Sequence, residues 1–184
     1  MSDSQDYIEV TDVVPFQTDE EVVVGDLSKL SSDILPVAQN VLGEIRKASR
    51  EVSKDGATKG LKLELRIVDG IPTIDSQGNV QYKYRGKVVF PRSSDLLYDV
   101  NTAIRTKDYY KGPHLLGLKF FLQALSLDVK DVRINDEFLT GLVGRKVLFS
   151  VKHVPNQTQD ETGAWVDDGT MKERVYGWKK ANED

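Results

Sequence analysis

The sequence predicts a mainly β protein in which five strands and one interposed helix form an OB-fold-like barrel. Three observations lead to this fold class. Several stretches alternate apolar and polar residues, turn signals separate them, and one helical pattern lies between the third and the fourth. A five-stranded OB barrel carries its helix at this place, although an open antiparallel sheet covered by the helix would give the same pattern.

The first two predicted strands form a hairpin. Residues 61–67 alternate strictly, which puts four aliphatic side chains on one face of the second strand, namely Leu61, Leu63, Leu65 and Ile67. Residues 41–53 fit either a helix or a strand. A strand is preferred because residues 53–56, Ser-Lys-Asp-Gly, form a turn that leads directly into the second strand.

Residues 80–90 predict a third strand with two different faces. One face is apolar and aromatic and consists of Val80, Tyr82, Tyr84, Val88 and Phe90. The opposite face is polar and consists of Gln81, Lys83, Arg85 and Lys87. Because Tyr82 and Tyr84 share their face with aliphatic residues, we expect both rings in the core.

Periodicity and punctuation predict the remaining elements. After Gly112-Pro113, leucines recur at helical spacing through residues 115–125, and a short turn or helical piece is expected at 135–142. Alternation predicts a fourth strand at 146–152 and a fifth at 173–180, whereas residues 155–172 lack periodicity and predict a long loop. Residues 36–180 therefore form one predicted domain, between a partly ordered N-terminal extension (1–35) and a short polar tail (181–184).

The charge is distributed unevenly along the chain. The formal net charge is -4, which by itself argues against a polyanionic partner. Residues 1–35 hold nine acids and one base, residues 36–152 hold twenty bases and thirteen acids, and residues 153–184 hold four bases and seven acids. A basic centre of net +7 thus lies between acidic ends of -8 and -3. Nucleic acid is therefore a candidate partner, and the acidic extension is a candidate competitor for the basic surface.

Composition excludes several classes of site. The 184 residues include no cysteine, so disulfides, thiolate nucleophiles and cysteine-based metal sites are excluded. No apolar run approaches the ~20 residues that cross a bilayer, and the first residues lack a signal-peptide pattern. We expect a cytoplasmic protein without a membrane partner.

A wider pattern resembles a known family. Its elements are Leu35-Pro36, Glu44-Ile45, Ala48, Ser53-Lys54, Gly56, the second strand through Gly70, Tyr84-Arg85-Gly86-Lys87, the Leu-rich helix, and Leu142-Val143-Gly144-Arg145. From about Leu35 to Lys180 the chain is similar to small bacteriophage and prophage single-stranded-DNA-binding-like proteins, which are often of unknown function and are encoded near recombination and replication genes. The resemblance implies phage DNA replication or recombination in the host cytoplasm, and it favours the strand interpretation of residues 41–53.

Binding of single strands needs cations that follow the phosphates and aromatic faces on which bases stack. The candidate residues with these properties are Arg46, Arg50, Lys54, Lys83, Arg85, Lys87, Lys146, Lys152, Trp165, Arg174, Tyr176 and Trp178. Two-residue spacing on the third strand would put Lys83, Arg85 and Lys87 on one face, although such a row is equally typical of a merely solvated face. Tyr176 and Trp178 fit stacking or core, and Trp165 fits stacking or a lid over the core.

The sequence predicts no catalytic site, metal or cofactor. The two histidines, His114 and His153, lack metal-ligand spacing and suggest exposed structural roles. Glu64, Asp69 and Asp75 are the nearest approach to a nuclease carboxylate cluster, but Glu64 and Asp69 have opposite parity on a strand. Glycine-rich phosphate loops and serine-histidine-aspartate arrangements are absent from the sequence.

The predicted function is that of a non-catalytic, largely sequence-independent single-stranded-DNA-binding protein. Its expected partners are single-stranded DNA and replication or recombination proteins, and a homo-oligomer of open subunit number is expected. The alternative is a protein-interaction or structural module of a phage assembly or anti-host complex that binds no nucleic acid.

Overall fold

The computed structural model describes residues 34–101 and 114–182. These residues contain eight strands, two α-helices and a short 3₁₀ helix at Ser93–Asp95. The strands are β1 (Ala38–Val52), β2 (Thr58–Ile67), β3 (Ile71–Ile74), β4 (Val80–Lys83), β5 (Val88–Val89), β6 (Leu97–Val100), β7 (Lys146–Gln159) and β8 (Trp165–Lys180). The helices are α1 (Leu116–Ala124) and α2 (Asp136–Leu142).

Six strands form one antiparallel sheet that curls into a nearly closed barrel. The strand order is β5-β2-β1-β7-β8, and β6 also pairs with β2. Two ion pairs join the two ends of the sheet. Nζ of Lys87, directly before β5, lies 4.0 Å from Glu173 on β8, and Arg174 on β8 binds Asp95 in the 3₁₀ helix that follows β5. The predicted mainly β, barrel-like fold with its helices between the third and fourth predicted strands is confirmed.

Residues 41–52 are strand, as preferred from the sequence. β1 pairs with β2 from Gly43↔Ile67 to Val52↔Lys59, with one bulge between Ile45 and Lys47. The predicted turn closes this hairpin, since the amide of Gly56 donates to the carbonyl of Ser53 over 2.9 Å. The helical spacing of apolar residues in β1 is a consequence of the bulge, which shifts the side-chain alternation by one position.

The core lies between the sheet and the two helices. The four alternating residues of the second predicted strand are all 0–1% exposed. α1 buries Leu118, Phe121 and Leu122, as its leucine spacing predicted. α2 begins where Oδ1 of Asn135 accepts the amide of Phe138 over 2.8 Å, so the predicted short helical piece is also confirmed.

The prediction of a single strand over residues 80–90 is wrong. β4 pairs only with β3, in a separate two-stranded hairpin whose four β4 residues are all exposed. The chain then turns, with Tyr84 at φ 65° and Gly86 at φ 82°, and enters β5. In β5 the buried residue is Val89, which pairs with Leu65, so the face that was predicted to be apolar is not the buried one. Glycine adopts such a turn conformation without strain, and alternation gives no sign of it.

The prediction of a long loop at residues 155–172 is also wrong. β7 continues to Gln159 and β8 starts at Trp165, so only residues 160–164 form the turn. The pairs Gln157↔Asp167 and Gln159↔Trp165 hold the two strands together. This part of the hairpin is largely exposed on both faces, and therefore it lacks the apolar-polar alternation that identifies half-buried strands.

Most of the predicted N-terminal extension lies outside the described residues, and the described residues from 34 onward form one unit. Leu35, at the end of that extension, is fully buried. Its amide donates to Glu173 over 2.6 Å, and Nε2 of His153 donates to its carbonyl over 2.7 Å. His153 is thus half-buried and structural rather than exposed. Among the described helices, none is long and apolar enough to cross a membrane.

Gly117 on α1 allows a close approach of two backbones. A Cβ at this position would clash with the carbonyl oxygen of Asp95 in the 3₁₀ helix. A backbone atom cannot rotate away, so we expect Gly117→Ala to lower the free energy of unfolding by about 1–3 kcal/mol. Gly141→Ala on α2 is the matched control, since its Cβ meets nothing within 4 Å, and it should stabilise by up to ~1 kcal/mol. Urea unfolding measures both, and equal stabilisation by both substitutions would contradict the close approach.

Candidate nucleic-acid interface

Residues 80–92, here called the basic segment, carry four bases and no acid. They comprise β4, the turn at residues 84–87, β5 and the residues that follow it. The bases are Lys83, Arg85, Lys87 and Arg92, so the segment has a net charge of +4. The sequence shows that the segment has no acids. Arg92 was not among the predicted binding residues, and it belongs to the segment because the structure leaves its side chain exposed.

The cations of the basic segment differ in how strongly they are engaged. Lys83 and Arg85 are exposed, and neither forms an ion pair with any described residue. Lys87 is half-buried, lies near Glu173, and places Nζ 5.5 Å from the centre of the Tyr84 ring. Because Lys87 points to the end of the sheet, the predicted row of three equivalent cations is reduced to two free cations and one structural one.

The basic segment also exposes aromatic rings. Tyr82 is 67% exposed and Phe90 is 63% exposed, whereas Tyr84 is half-buried against the core. The core prediction is therefore wrong for Tyr82 and right for Tyr84, because β4 belongs to a hairpin outside the main sheet. The alternation pattern predicts Phe90 on an apolar face. In the structure, Phe90 lies on the surface. The basic segment thus combines free cations with two accessible aromatic faces.

The predicted cations of β1 are engaged with carboxylates. Arg46 sits in the bulge, 3.7 Å from Glu44, and Arg50 forms an ion pair with Asp136 of α2. The bulge breaks the alternation that predicted a shared face for these two arginines. Lys54 lies exposed in the turn between β1 and β2. Of these three, only Lys54 lacks a carboxylate partner among the described residues.

A bulge in β8 separates residues that were predicted to share a face. β8 has an extra residue between the pairs Leu148↔Lys179 and Ser150↔Tyr176. Trp178 packs edge-on against Phe121 of α1, with ring centres 5.1 Å apart and planes at 70°, so it belongs to the core. Tyr176 remains exposed and holds Nζ of Lys152 4.8 Å from its ring centre.

Arg174 is also structural. Its guanidinium donates to both carboxylate oxygens of Asp95, over 3.1 Å and 2.6 Å. This two-point ion pair joins β8 to the 3₁₀ helix and holds the end of the sheet together. Of the two aromatic residues predicted at residues 173–180, Tyr176 therefore remains a candidate for base stacking and Trp178 does not.

A second basic surface, the basic cluster, lies where β7 begins and β8 ends. It consists of Arg145, Lys146, Lys179 and Lys180, of which only Lys146 was predicted. The pairs Val147↔Lys180 and Leu148↔Lys179 bring the last lysines beside the start of β7. Arg145, Lys146 and Lys180 line a cleft of about 450 Å³. This proximity depends on strand register, which the sequence spacing of 33–35 positions does not show.

The part of the β7–β8 hairpin at residues 155–172, here called the acidic hairpin, carries four acids and one lysine, hence a net charge of -3. Trp165 stands in it with 65% of its surface exposed, so it is not a lid over the core. Val166 and Met171 are also exposed. Negative charge around Trp165 repels phosphates, which weakens its assignment as a base-stacking residue.

The turn of the acidic hairpin is organised around Asp160. Its carboxylate accepts the Thr162 hydroxyl over 2.6 Å and the amides of Thr162 and Ala164 over 2.8 Å and 3.0 Å. These bonds, the Thr162 hydroxyl first, hold the pKa of Asp160 below its ordinary value of 3.8. The Thr170 hydroxyl and amide lower the pKa of Asp168 in the same way. A lowered pKa keeps the carboxylates of Asp160 and Asp168 ionised at neutral pH.

Asp160 should titrate with a midpoint below 3.8 in the folded protein. Because its folded pKa is lowered, its contribution to stability is complete above the unfolded value and is lost as the pH falls through the folded value. Thr162→Val removes the main donor and should raise the midpoint toward 3.8. Carboxyl chemical shifts measured by NMR give both midpoints, and Asp168 serves as an internal control whose titration the substitution should leave unchanged. An unperturbed midpoint for Asp160 would refute this organisation of the turn.

The described residues contain no group of three or more histidines or carboxylates able to hold a metal ion. Glu64, Asp69 and Asp75 therefore form no such cluster. The Asp75 carboxylate instead accepts the amides of Gln77 and Asn79, each over 2.9 Å, in the turn between β3 and β4. No protein-family model and no curated protein matches the chain.

Proposed function

We propose that the protein binds single-stranded DNA without catalysing a reaction and with little sequence preference. The observation that carries this proposal is the basic segment, which exposes the rings of Tyr82 and Phe90 together with Lys83 and Arg85, two cations that form no ion pair with any described residue. Cations attract the phosphates and rings stack on the bases, and neither interaction distinguishes strongly between bases. The basic cluster supplies further phosphate contacts.

The position of the basic segment in the fold supports the proposal. Strands and connecting loops on one side of OB folds bind oligonucleotides. Here β5 is held in the barrel through Leu65↔Val89 and Arg66↔Val88, which gives the segment a rigid support. The neighbouring β3–β4 hairpin then presents Tyr82 to solvent. A setting in phage DNA replication or recombination rests on the resemblance of residues 35–180 alone.

Fluorescence anisotropy of a labelled oligo-dT at several salt concentrations tests the proposal. We expect binding at low salt that weakens steeply as salt rises, because phosphate neutralisation releases counterions. An unlabelled oligo-dT competes for the label, and oligo-dA should compete with similar strength. Absence of binding at low salt, or binding that salt does not affect, would overturn the proposal.

A protein-interaction module is the second candidate, and the acidic hairpin is the observation that favours it. A rigid arm with an exposed tryptophan among four acids resembles a protein-binding surface more than a surface for DNA. The two functions are distinguished by the same titration, since a pure interaction module gives no salt-dependent change in anisotropy with oligo-dT.

A further inference from the structure

Two surfaces of the molecule are complementary to each other. The acidic hairpin has a net charge of -3 and exposes Trp165, Val166 and Met171. The basic segment has a net charge of +4 and exposes Val80, Tyr82 and Phe90. Each surface therefore combines apolar side chains with charges of one sign, and the signs are opposite. Opposite potentials with apolar contacts between them are typical of protein interfaces.

The two surfaces do not satisfy each other within one molecule. The named side chains of both are exposed, and no described ion pair joins an acid of the hairpin to Lys83 or Arg85. The two surfaces are close together where they meet the barrel. Nζ of Lys87 in the basic segment lies 4.0 Å from the carboxylate of Glu173, the residue that directly follows the acidic hairpin. From there the hairpin continues through residues that are paired only within it.

The acidic hairpin is ordered before any partner binds. Eleven pairs hold β7 to β8, and four of them, from Pro155↔Met171 to Gln159↔Trp165, lie within the acidic hairpin. Asp160 and Asp168 accept hydrogen bonds from Thr162 and Thr170, which fix its turn and its second strand. The outer edge of β8 is the end of the strand order β5-β2-β1-β7-β8. A preorganised arm loses little conformational entropy when it docks, which favours association through a small surface.

We propose that two copies of this chain form a two-fold dimer in which the acidic hairpin of each copy docks on the basic segment of the other. The acidic hairpin and the basic segment begin close to each other in each copy. One two-fold axis can therefore form both hairpin–segment contacts at once, as closed dimers require. The basic segment is chosen as the acceptor because it exposes three apolar or aromatic side chains together with Lys83 and Arg85. Trp165 is the central contact of each hairpin.

Sedimentation velocity without nucleic acid tests this dimer, so its outcome does not depend on whether the protein binds DNA. The full chain should be dimeric at low salt and dissociate as salt rises. Trp165→Ala should weaken the dimer by at least about 30-fold in dissociation constant, since buried tryptophans dominate the energetics of interfaces. Lys83→Glu/Arg85→Glu, which brings the basic segment from +4 to zero, should give a monomer.

Charge reversal on each surface supplies the specificity control. Glu161→Lys/Asp167→Lys reverses the acidic hairpin and should also give a monomer. Mixing this variant with Lys83→Glu/Arg85→Glu restores one native contact and should recover a heterodimer. Lys146→Glu/Lys180→Glu changes the net charge by the same amount in the basic cluster and should leave the dimer intact. A monomeric wild-type chain at low salt, or a dimer that survives both Trp165→Ala and Lys83→Glu/Arg85→Glu, would overturn the proposal.

Discussion

Replacing Lys83 and Arg85 together by alanine is expected to weaken oligo-dT binding by about 25-fold at 0.1 M salt. Each phosphate contact on a single strand contributes about 0.7 to the slope of log K against log salt concentration, so two lost contacts reduce the slope by about 1.4. Between 1 M and 0.1 M salt, a slope difference of about 1.4 corresponds to a loss of affinity of about 25-fold. The measurement is the anisotropy titration of the double variant at several salt concentrations.

Lys47→Ala/Lys62→Ala is the matched control for this prediction. It removes the same net charge from exposed positions of β1 and β2, but Lys47 lies 4.0 Å from Glu64 and Lys62 lies 3.6 Å from Glu51. Paired cations contribute less to phosphate binding than free ones, so affinity and slope should change little. An equal loss in both double variants would mean that net charge, and not the basic segment, governs binding.

Phe121→Ala is expected to have the largest effect on stability, a loss of about 3–5 kcal/mol in the free energy of unfolding. The Phe121 side chain is 0% exposed, and its removal leaves a cavity between α1 and the sheet. The substitution also removes the edge-on partner of Trp178, 5.1 Å away. Urea unfolding followed by tryptophan fluorescence measures the loss.

Phe120→Ala provides the control on the same helix. Phe120 precedes Phe121 and is 52% exposed, so its truncation should change the free energy of unfolding by no more than about 0.5 kcal/mol. Circular dichroism before unfolding verifies that both variants are folded. Comparable losses from the two substitutions would contradict the placement of α1 on the sheet.

The parts of the fold that were predicted correctly are those that bury one face. Leu61 to Ile67 alternate because one side of β2 is the core, and α1 repeats its leucines because one side of the helix covers the sheet. The tight turn at residues 53–56 then requires β1 to pair with β2. In each case burial of apolar area leaves a periodic trace in the sequence.

The parts that were predicted wrongly lack such a trace. β3 and β4 form a hairpin outside the main sheet, and the acidic hairpin is exposed on both sides, so neither needs apolar alternation. The bulges in β1 and β8 shift the faces of the residues that follow them, which moved Trp178 into the core and left Tyr176 exposed. A bulge inserts one residue without changing composition, and therefore spacing alone does not reveal it.

The class of the fold, the inward face of β2, the two helices and the basic centre between acidic ends could all be predicted from the sequence. These properties depend on local pattern and composition. Tertiary structure alone decided which cations are free, because Arg46, Arg50 and Arg174 meet carboxylates that are distant in the sequence or displaced by a bulge. It also set an acidic hairpin with an exposed tryptophan apart from a basic segment with exposed rings. Ion pairing and exposure are properties of neighbours in space, and the order of residues specifies those neighbours only through the folded sheet.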